Sequence, residues 1–476
     1  MMAAPGPARP EQKPLSIEQA ESPPAQRGHG RLLQVLGMWF GIAAAIGNTI
    51  AAGIVRAQGF IATYLPNVWL FLGVWLVGGL YAIVGASSLA ELGAAIPRSG
   101  GQYNYSRRAL GEYAGFIVGW SDWLSTCGTN AAVGLVIGEY IGVLVPAFAG
   151  YDKTIAVVIL LAFALLQWRG VKWGSGAQLL TSGLKTAAFL ILVLACFALG
   201  GHSRASAAHA APAIAVNWAL LLGFMFAIQK VIYTVDGWDG VIYFSEEVED
   251  PGRDVPRAIF GSVFSIIGIY LLLSAAVAYV LPMNEIAGSD FALGAAAQRI
   301  FGSYGDVIIR SIMIVSLISC VNACQMFATR VLYAMSCDGL FFRAASRVNN
   351  GGTPVLALLL STAIGVAFTI SKTFSQVIDM LAFFFVANYT LSFISLFRLR
   401  VKEPQMPRPY RAWGYPWTTA IALTSSVAFL GGALLADREN TPWAFALLAV
   451  SYPIFRVMKW ASTRLGPQGS APELRP

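Results

Sequence analysis

The chain has 476 residues, 57% of them hydrophobic and only 12% charged, with a formal net charge of +8. That balance excludes an ordinary soluble domain and describes an all-α polytopic membrane protein, since apolar runs near or above the roughly 20 residues a bilayer requires recur along most of the length. Nucleic acid is excluded as a partner, because the basic residues cluster beside apolar runs as they do on the inner side of a membrane.

In chain order, residues 1–30 are rich in Pro, Ala and Gln, lack the apolar core of a signal peptide, and read as a disordered cytoplasmic tail. The first span therefore has to direct insertion. About twelve spans follow, near 34–61, 67–94, 113–146, 154–169, 175–200, 217–246, 257–282, 305–335, 354–371, 374–398, 415–435 and 441–458. Both termini are expected on the cytoplasmic side. Arg27 and Arg31 precede the first span, Arg98, Arg107 and Arg108 follow the second, and Arg398, Arg400, Lys402, Arg408 and Arg411 follow the tenth. The expected outer loops hold few basic residues, such as Lys153, Arg204, Lys372 and Arg438. The organisation read from this is a ten-span core over 31–400, an inner loop with spans eleven and twelve over 401–460, and a second cytoplasmic tail over 461–476.

The first span is interrupted at Gly47-Asn48-Thr49-Ile50-Ala51-Ala52-Gly53-Ile54. Small residues there leave backbone amides open, and the half-helix that follows points its positive N-terminus at the middle of the membrane, which suits a carboxylate. Carbonyls ending the preceding half, such as that of Thr49, suit an ammonium group. Tight helix packing through small residues is the alternative reading of this cluster alone. The sixth span is interrupted at Asp236-Gly237-Trp238-Asp239 and stops at Glu246-Glu247. Each carboxylate at that depth costs roughly 2.5–3.5 kcal/mol, a cost tolerated where unwound backbone lines a polar cavity. Because the two breaks are five spans apart, the second set of five enters the membrane from the opposite side. Two inverted five-span repeats with two helices appended follow, the plan of many secondary transporters.

No serine–histidine–acid set, metal cluster or phosphate-binding glycine loop is present, so enzyme chemistry, cofactors and metals are not expected. Cys127, Cys196, Cys320, Cys324 and Cys337 lie in or beside apolar runs. Cys320 and Cys324 are one turn apart, as two metal ligands could be. His29, His202 and His209 all fall outside the spans, so the pair reads as small residues packing in a helix.

Three segments carry a family resemblance: ASSLAELGAAIPRSGGQYNYSRRALGEYAGFIVGW over 86–120, the sixth-span break through Glu246-Glu247 and DPGRDVPRAI to Ile259, and RVLYAMSCDGLFFRAASRVNNGGTPVLALLL over 330–360. Together they resemble the amino acid–polyamine–organocation (APC) superfamily, in particular the L-type amino acid transporters and their bacterial relatives. The similarity runs from about Leu33 to Arg400. It implies the LeuT-like five-plus-five inverted repeat, and a substrate whose carboxylate meets the amides around Ala51, Ala52, Gly53 and Ile54. Its ammonium would meet carbonyls of Thr49, Tyr233 and Asp236, with Gly237 at the turn and Trp238 and Asp239 shaping the side-chain pocket. Tyr233 falls where the family places an aromatic that closes over the substrate; an ordinary packed aromatic is the alternative.

The chain departs from the family pattern in three places. Ala51-Ala52-Gly53 replaces a frequent Gly-Ser-Gly, Asp239 a frequent asparagine, and Cys337 the usual arginine before Asp338. Lys185 matches a lysine that sodium-independent relatives carry in place of Na⁺ beside the first break; snorkelling to the inner surface is the alternative. Lys230 shares a helix face with Tyr233 and has no family role; an acid such as Asp122 or Glu139 is its expected partner. Glu246 and Glu247 suggest an inner gate with Arg253, Arg257 or Arg330, or else a solvated pair.

The expected function is alternating-access amino acid transport across a bacterial cytoplasmic membrane, proton-coupled or by exchange, and independent of sodium. A carrier of cationic amino acids or polyamines, suggested by Asp236 and Asp239, and a non-transporting amino acid sensor are the alternatives. Besides the amino acid, only membrane lipid is expected as a partner. The loop VPAFAGYDK lacks the cysteine through which eukaryotic relatives join a heavy chain.

Overall fold

The computed structural model describes residues 32–200, 217–371, 374–436 and 441–464. Arg27, His29, Arg31, His202, Arg204, His209, Lys372 and Arg438 lie outside the described residues, as do both expected tails except 461–464, which continue the last helix. A helix or a broken pair stands at each of the twelve expected spans. α1 (Met38–Thr49) and α2 (Ala52–Tyr64) form the first. α1 and the segment Gly53–Tyr64 are bent by 54° to one another. α3 (Val68–Ala95) starts where Asn67 accepts hydrogen bonds from the amides of Trp69 and Leu70 at 2.9 and 3.4 Å. Then come α4 (Gln102–Leu110), α5 (Glu112–Leu144), α6 (Asp152–Trp168) and α7 (Val171–Leu199).

The second set begins with α8 (Trp218–Val235), capped by Asn217, which accepts from Leu220 N at 2.9 Å and gives way to a 3₁₀ turn at Gly240–Phe244. α9 (Pro251–Val280), α10 (Ala292–Phe301), α11 (Gly305–Cys337), α12 (Val355–Ser371) and α13 (Phe374–Lys402) complete it. α14 (Trp417–Ala436) and α15 (Thr441–Arg464) are the appended pair.

Helix lengths carry the repeat. α3 and α9 have 28 and 30 residues, α5 and α11 33 each, α6 and α12 17 each, and α7 and α13 29 each. The short α4 and α10, of 9 and 10 residues, are mates as well. Neither was expected from the sequence, since both lie between spans and are too short to register as apolar runs. α5 packs most extensively on its mate α11, and α3 on α9, so the long helices meet across the pseudo-two-fold.

Polar side chains inside the bundle satisfy one another. Gln167 donates to Asn322 Oδ1 at 2.9 Å, Asn322 donates to Gln178 Oε1 at 2.8 Å, and Gln178 donates to Ser319 at 3.1 Å. These bonds tie α6 and α7 to α11 behind the first break.

Candidate functional site

A helix that stops inside a membrane leaves its last carbonyls without intrahelical donors. In the first break these carbonyls are taken by other spans. Lys185 of α7, fully buried, donates from Nζ to the carbonyls of Ile46, Gly47 and Ile50 at 3.2, 2.9 and 2.8 Å, and to Ser316 O at 3.1 Å. The Ser316 hydroxyl donates to Ile50 O at 2.5 Å. Cys320 Sγ approaches Asn48 O at 3.4 Å. Thr49 O accepts from Ala51 N at 2.9 Å and from the Tyr270 hydroxyl of α9 at 2.8 Å. Lys185 therefore does not snorkel: its charge sits among carbonyls of the break, where a hard cation would find oxygen ligands. The two lone pairs of Thr49 O are engaged, and Thr49 offers the cavity its hydroxyl Oγ1, which is buried and has no described partner. What remains open in this break is the start of α2, where Ala52, Gly53 and Ile54 have amides without intrahelical acceptors by position.

In the sixth span the chain extends at Asp236 (φ −57°, ψ 147°) and turns at Gly237 with φ +100°. A Cβ on Gly237 would lie 2.2 Å from Asn48 Nδ2 and 3.0 Å from Thr49 Oγ1, so glycine is required by both the turn and the approach of the two breaks. The Tyr270 hydroxyl also reaches Thr234 O at 3.3 Å, bridging the breaks. Asp239 is held by Gln102 Nε2 at 2.9 Å and the Tyr389 hydroxyl at 3.1 Å, and Ser392 fixes Gln102 by donating to its Oε1 at 3.2 Å.

The breaks enclose a cavity of about 230 Å³. Of the expected residues, Thr49, Ala51, Gly53, Tyr233, Asp236, Gly237 and Asp239 line it. Ile54 is buried behind the wall, and Trp238 stacks on Tyr389 with ring centroids 5.5 Å apart. Asp122, Gln102, Phe327, Asn388, Tyr389 and the Cys320–Cys324 pair line the cavity without having been expected there. One signal was available: Asp122, Thr126, Thr129 and Val133 recur at helical spacing on one face of α5, which is the face lining the cavity. Asp122 Oδ1 accepts from the Tyr243 hydroxyl at 3.1 Å.

The cavity is open at one end. Arg56 is exposed, while Lys230, Tyr233 and Asp236 are partly exposed and Gln102, Asp239 and Tyr243 are buried. Lys230 does not sit on Asp122; its ammonium lies over the rings of Phe60 and Tyr233, 5.6 and 5.8 Å from their centroids. The other end is shut. Glu247 makes two hydrogen bonds of 3.0 Å with Arg330, both side chains buried, and the guanidinium lies 5.2 Å from the Phe244 ring centroid. Arg330 is thus the partner among the three arginines considered. Glu246 accepts from Ser99 N at 3.5 Å. The Glu247 carbonyl accepts from Val35 and Leu36 at 3.0 and 2.9 Å, clamping the segment before α1. Asp338, next to Cys337, is held by Arg98 and Arg107 at 3.1 Å each.

The chain matches the family described as amino acid permease over residues 32–455. It is 26% identical over 434 residues to the serine/threonine exchanger SteT of Bacillus subtilis, covering 90% of this chain and 97% of that protein. It is 26% identical over 405 residues to the human large neutral amino acids transporter small subunit 2, covering 83% and 75% respectively. Against the Asc-type amino acid transporter 1 of Mus musculus it is 26% identical over 377 residues, covering 77% and 70%.

Proposed function

Because the chain belongs to the amino acid permease family, we propose that it binds one amino acid between its two broken spans and carries it across the membrane by alternating access. It is an integral membrane protein, its cargo is an amino acid, and its family and relatives are transporters rather than enzymes. The observation that carries the reading is the meeting of the two breaks at Gly237 and Asn48, with the start of α2 on one side and the end of α8 on the other. The carboxylate binds at Ala52, Gly53 and Ile54. The ammonium binds at the Tyr233 carbonyl and at Asp236, because the Thr49 carbonyl already has two donors. Asp239 and Trp238 act through the wall, Asp239 by fixing Gln102 and Tyr389, and Trp238 by backing Tyr389.

The cavity's small volume and the names of the relatives, which include serine, threonine and large neutral amino acids, support a neutral amino acid rather than a polyamine or a cationic one. Transport is independent of sodium, as the Lys185 ammonium occupies the carbonyl cage that a cation would need. A sensor that binds without flux is not favoured by a family of permeases. Residues 31–400 serve as the transport core and 401–460 as an inner loop with spans eleven and twelve. The Glu247–Arg330 pair and the clamp on Leu36 form the inner gate, with Glu246 at its edge, and the termini lie on the cytoplasmic side of a bacterial inner membrane, surrounded by lipid. No disulfide-linked heavy chain joins it.

Counterflow into sealed liposomes containing the purified protein tests this, with neutral, cationic and acidic amino acids and putrescine, in sodium or choline medium and with the pH gradient intact or collapsed. Uptake of small neutral amino acids in choline medium is expected. Uptake confined to putrescine, uptake requiring sodium, or binding without flux would overturn the reading.

A further inference from the structure

Cys320 and Cys324 were expected to pack as small residues in a helix. They instead border the cavity, one turn apart on α11, with their sulfurs 3.9 Å apart. Both thiols point at the same residue of the first break. Cys324 Sγ lies 3.1 Å from Asn48 Oδ1, and Cys320 Sγ lies 3.4 Å from the Asn48 carbonyl. Asn48 in turn faces Gly237 across the contact between the breaks. Of the other cysteines, Cys127 and Cys196 are buried elsewhere in the bundle and Cys337 is exposed. The helix thus presents two thiols side by side at the wall of a cavity that opens to one side of the membrane.

Two thiols held this way form a chelate. Two bonds of about 2.3 Å, the usual length from thiolate sulfur to a soft centre, span sulfurs about 3.5 Å apart at a pyramidal atom. The observed separation needs only a small turn of either side chain to match. We propose that Cys320 and Cys324 are a dithiol modification site inside the substrate cavity, which a trivalent organoarsenical bridges and so arrests transport, and which a bound amino acid shields. In that reaction two S–H bonds break and two As–S bonds form. Both thiol protons leave with the oxide oxygen as water, and arsenic stays trivalent. The bridge removes both thiol donors from Asn48 and sets an aryl group in the cavity beside Gly237. The shielding rests on the cavity being the substrate site; the chelation does not.

The test treats the full-length protein in liposomes with phenylarsine oxide and reads the adduct by intact mass and peptide mapping, with counterflow measured in parallel. One arsenical per chain, mapped across Cys320 and Cys324, removed by 2,3-dimercaptopropanol and absent from Cys320→Ala and Cys324→Ala, is expected. No adduct on the wild-type protein, or an adduct at other cysteines, would overturn the site whatever the variants do. Saturating neutral amino acid should slow adduct formation at least tenfold. If counterflow proceeds and the amino acid does not slow the adduct, the placement of the thiols in the substrate cavity is wrong. If the adduct forms as described and no amino acid is transported, the chelate stands and the transport reading fails.

Discussion

Lys185→Ala removes one ammonium that serves four carbonyls. The loss is uneven across them. Ile46 O keeps the Ile50 amide at 3.1 Å, and Ile50 O keeps the Ser316 hydroxyl at 2.5 Å. Ser316 O lies inside α11, where the helix supplies a donor. Gly47 O is different, because Lys185 is its one described partner, at 2.9 Å. Leaving that carbonyl unsatisfied in a buried site costs about 1–3 kcal/mol, and the charge-assisted bonds lost at Ile46 and Ile50 are each worth about 1.5–3 kcal/mol before their remaining donors compensate. A net penalty of about 3–5 kcal/mol on the broken conformation follows, which at 1.4 kcal/mol per tenfold corresponds to a loss of roughly a hundredfold to several thousandfold. The assay is the initial rate of neutral amino acid counterflow in choline medium, at matched protein density, with the elution profile of the purified variant as the check on folding. A folded Lys185→Ala protein that transports at the wild-type rate would refute the argument that this ammonium holds the break open.

Tyr270→Phe should lower counterflow about 5–30-fold with little change in melting temperature, because Thr49 O retains the Ala51 amide while Thr234 O loses its described donor, a cost of about 1–2 kcal/mol. Gly237→Ala must accept φ +100° and a Cβ 2.2 Å from Asn48, so it should abolish the rise in melting temperature that substrate gives the wild-type protein. Glu247→Gln strips the buried Arg330 of its counter-charge, about 3–5 kcal/mol, and should lower the melting temperature more than the double variant Glu247→Gln/Arg330→Gln does. An equal or larger fall in the double variant would contradict that account.

The spans, both breaks and the need of Lys185 for oxygen partners were legible in the sequence because each is a conflict between residue type and position. Apolar runs must cross the bilayer, carboxylates at Asp236 and Asp239 must have a polar cavity, and a lysine ten residues inside a span must find oxygen. A conflict reveals that a group needs a partner but does not name it. Hence Glu247 could not be assigned to Arg330 over Arg253 or Arg257, the rings of Phe60 and Tyr233 beneath Lys230 could not be named, and Tyr270 drew no notice, since a tyrosine in a span is in no conflict at all. α4 and α10 escaped for a related reason: nine or ten residues between spans carry too little apolar periodicity to stand out, although their symmetry is plain once the helix lengths are compared.

The same distinction underlies the direction proposed for a zwitterion in the cavity. The two breaks look equivalent in sequence, each ending one half-helix and beginning another segment. They differ in what their neighbours have already satisfied. At the first break Lys185, Tyr270 and Cys320 engage the carbonyls of Ile46, Gly47, Asn48, Thr49 and Ile50, so its remaining polar capacity is the amide end of α2, which is positive. At the sixth break Thr234 O accepts from Tyr270, Asp239 is held by Gln102 and Tyr389, and Tyr233 and Asp236 line the cavity. On the proposed reading the carboxylate lies at the start of α2 and the ammonium at the sixth break, a direction set by the donors of α7, α9 and α11, none of which needs to touch the amino acid.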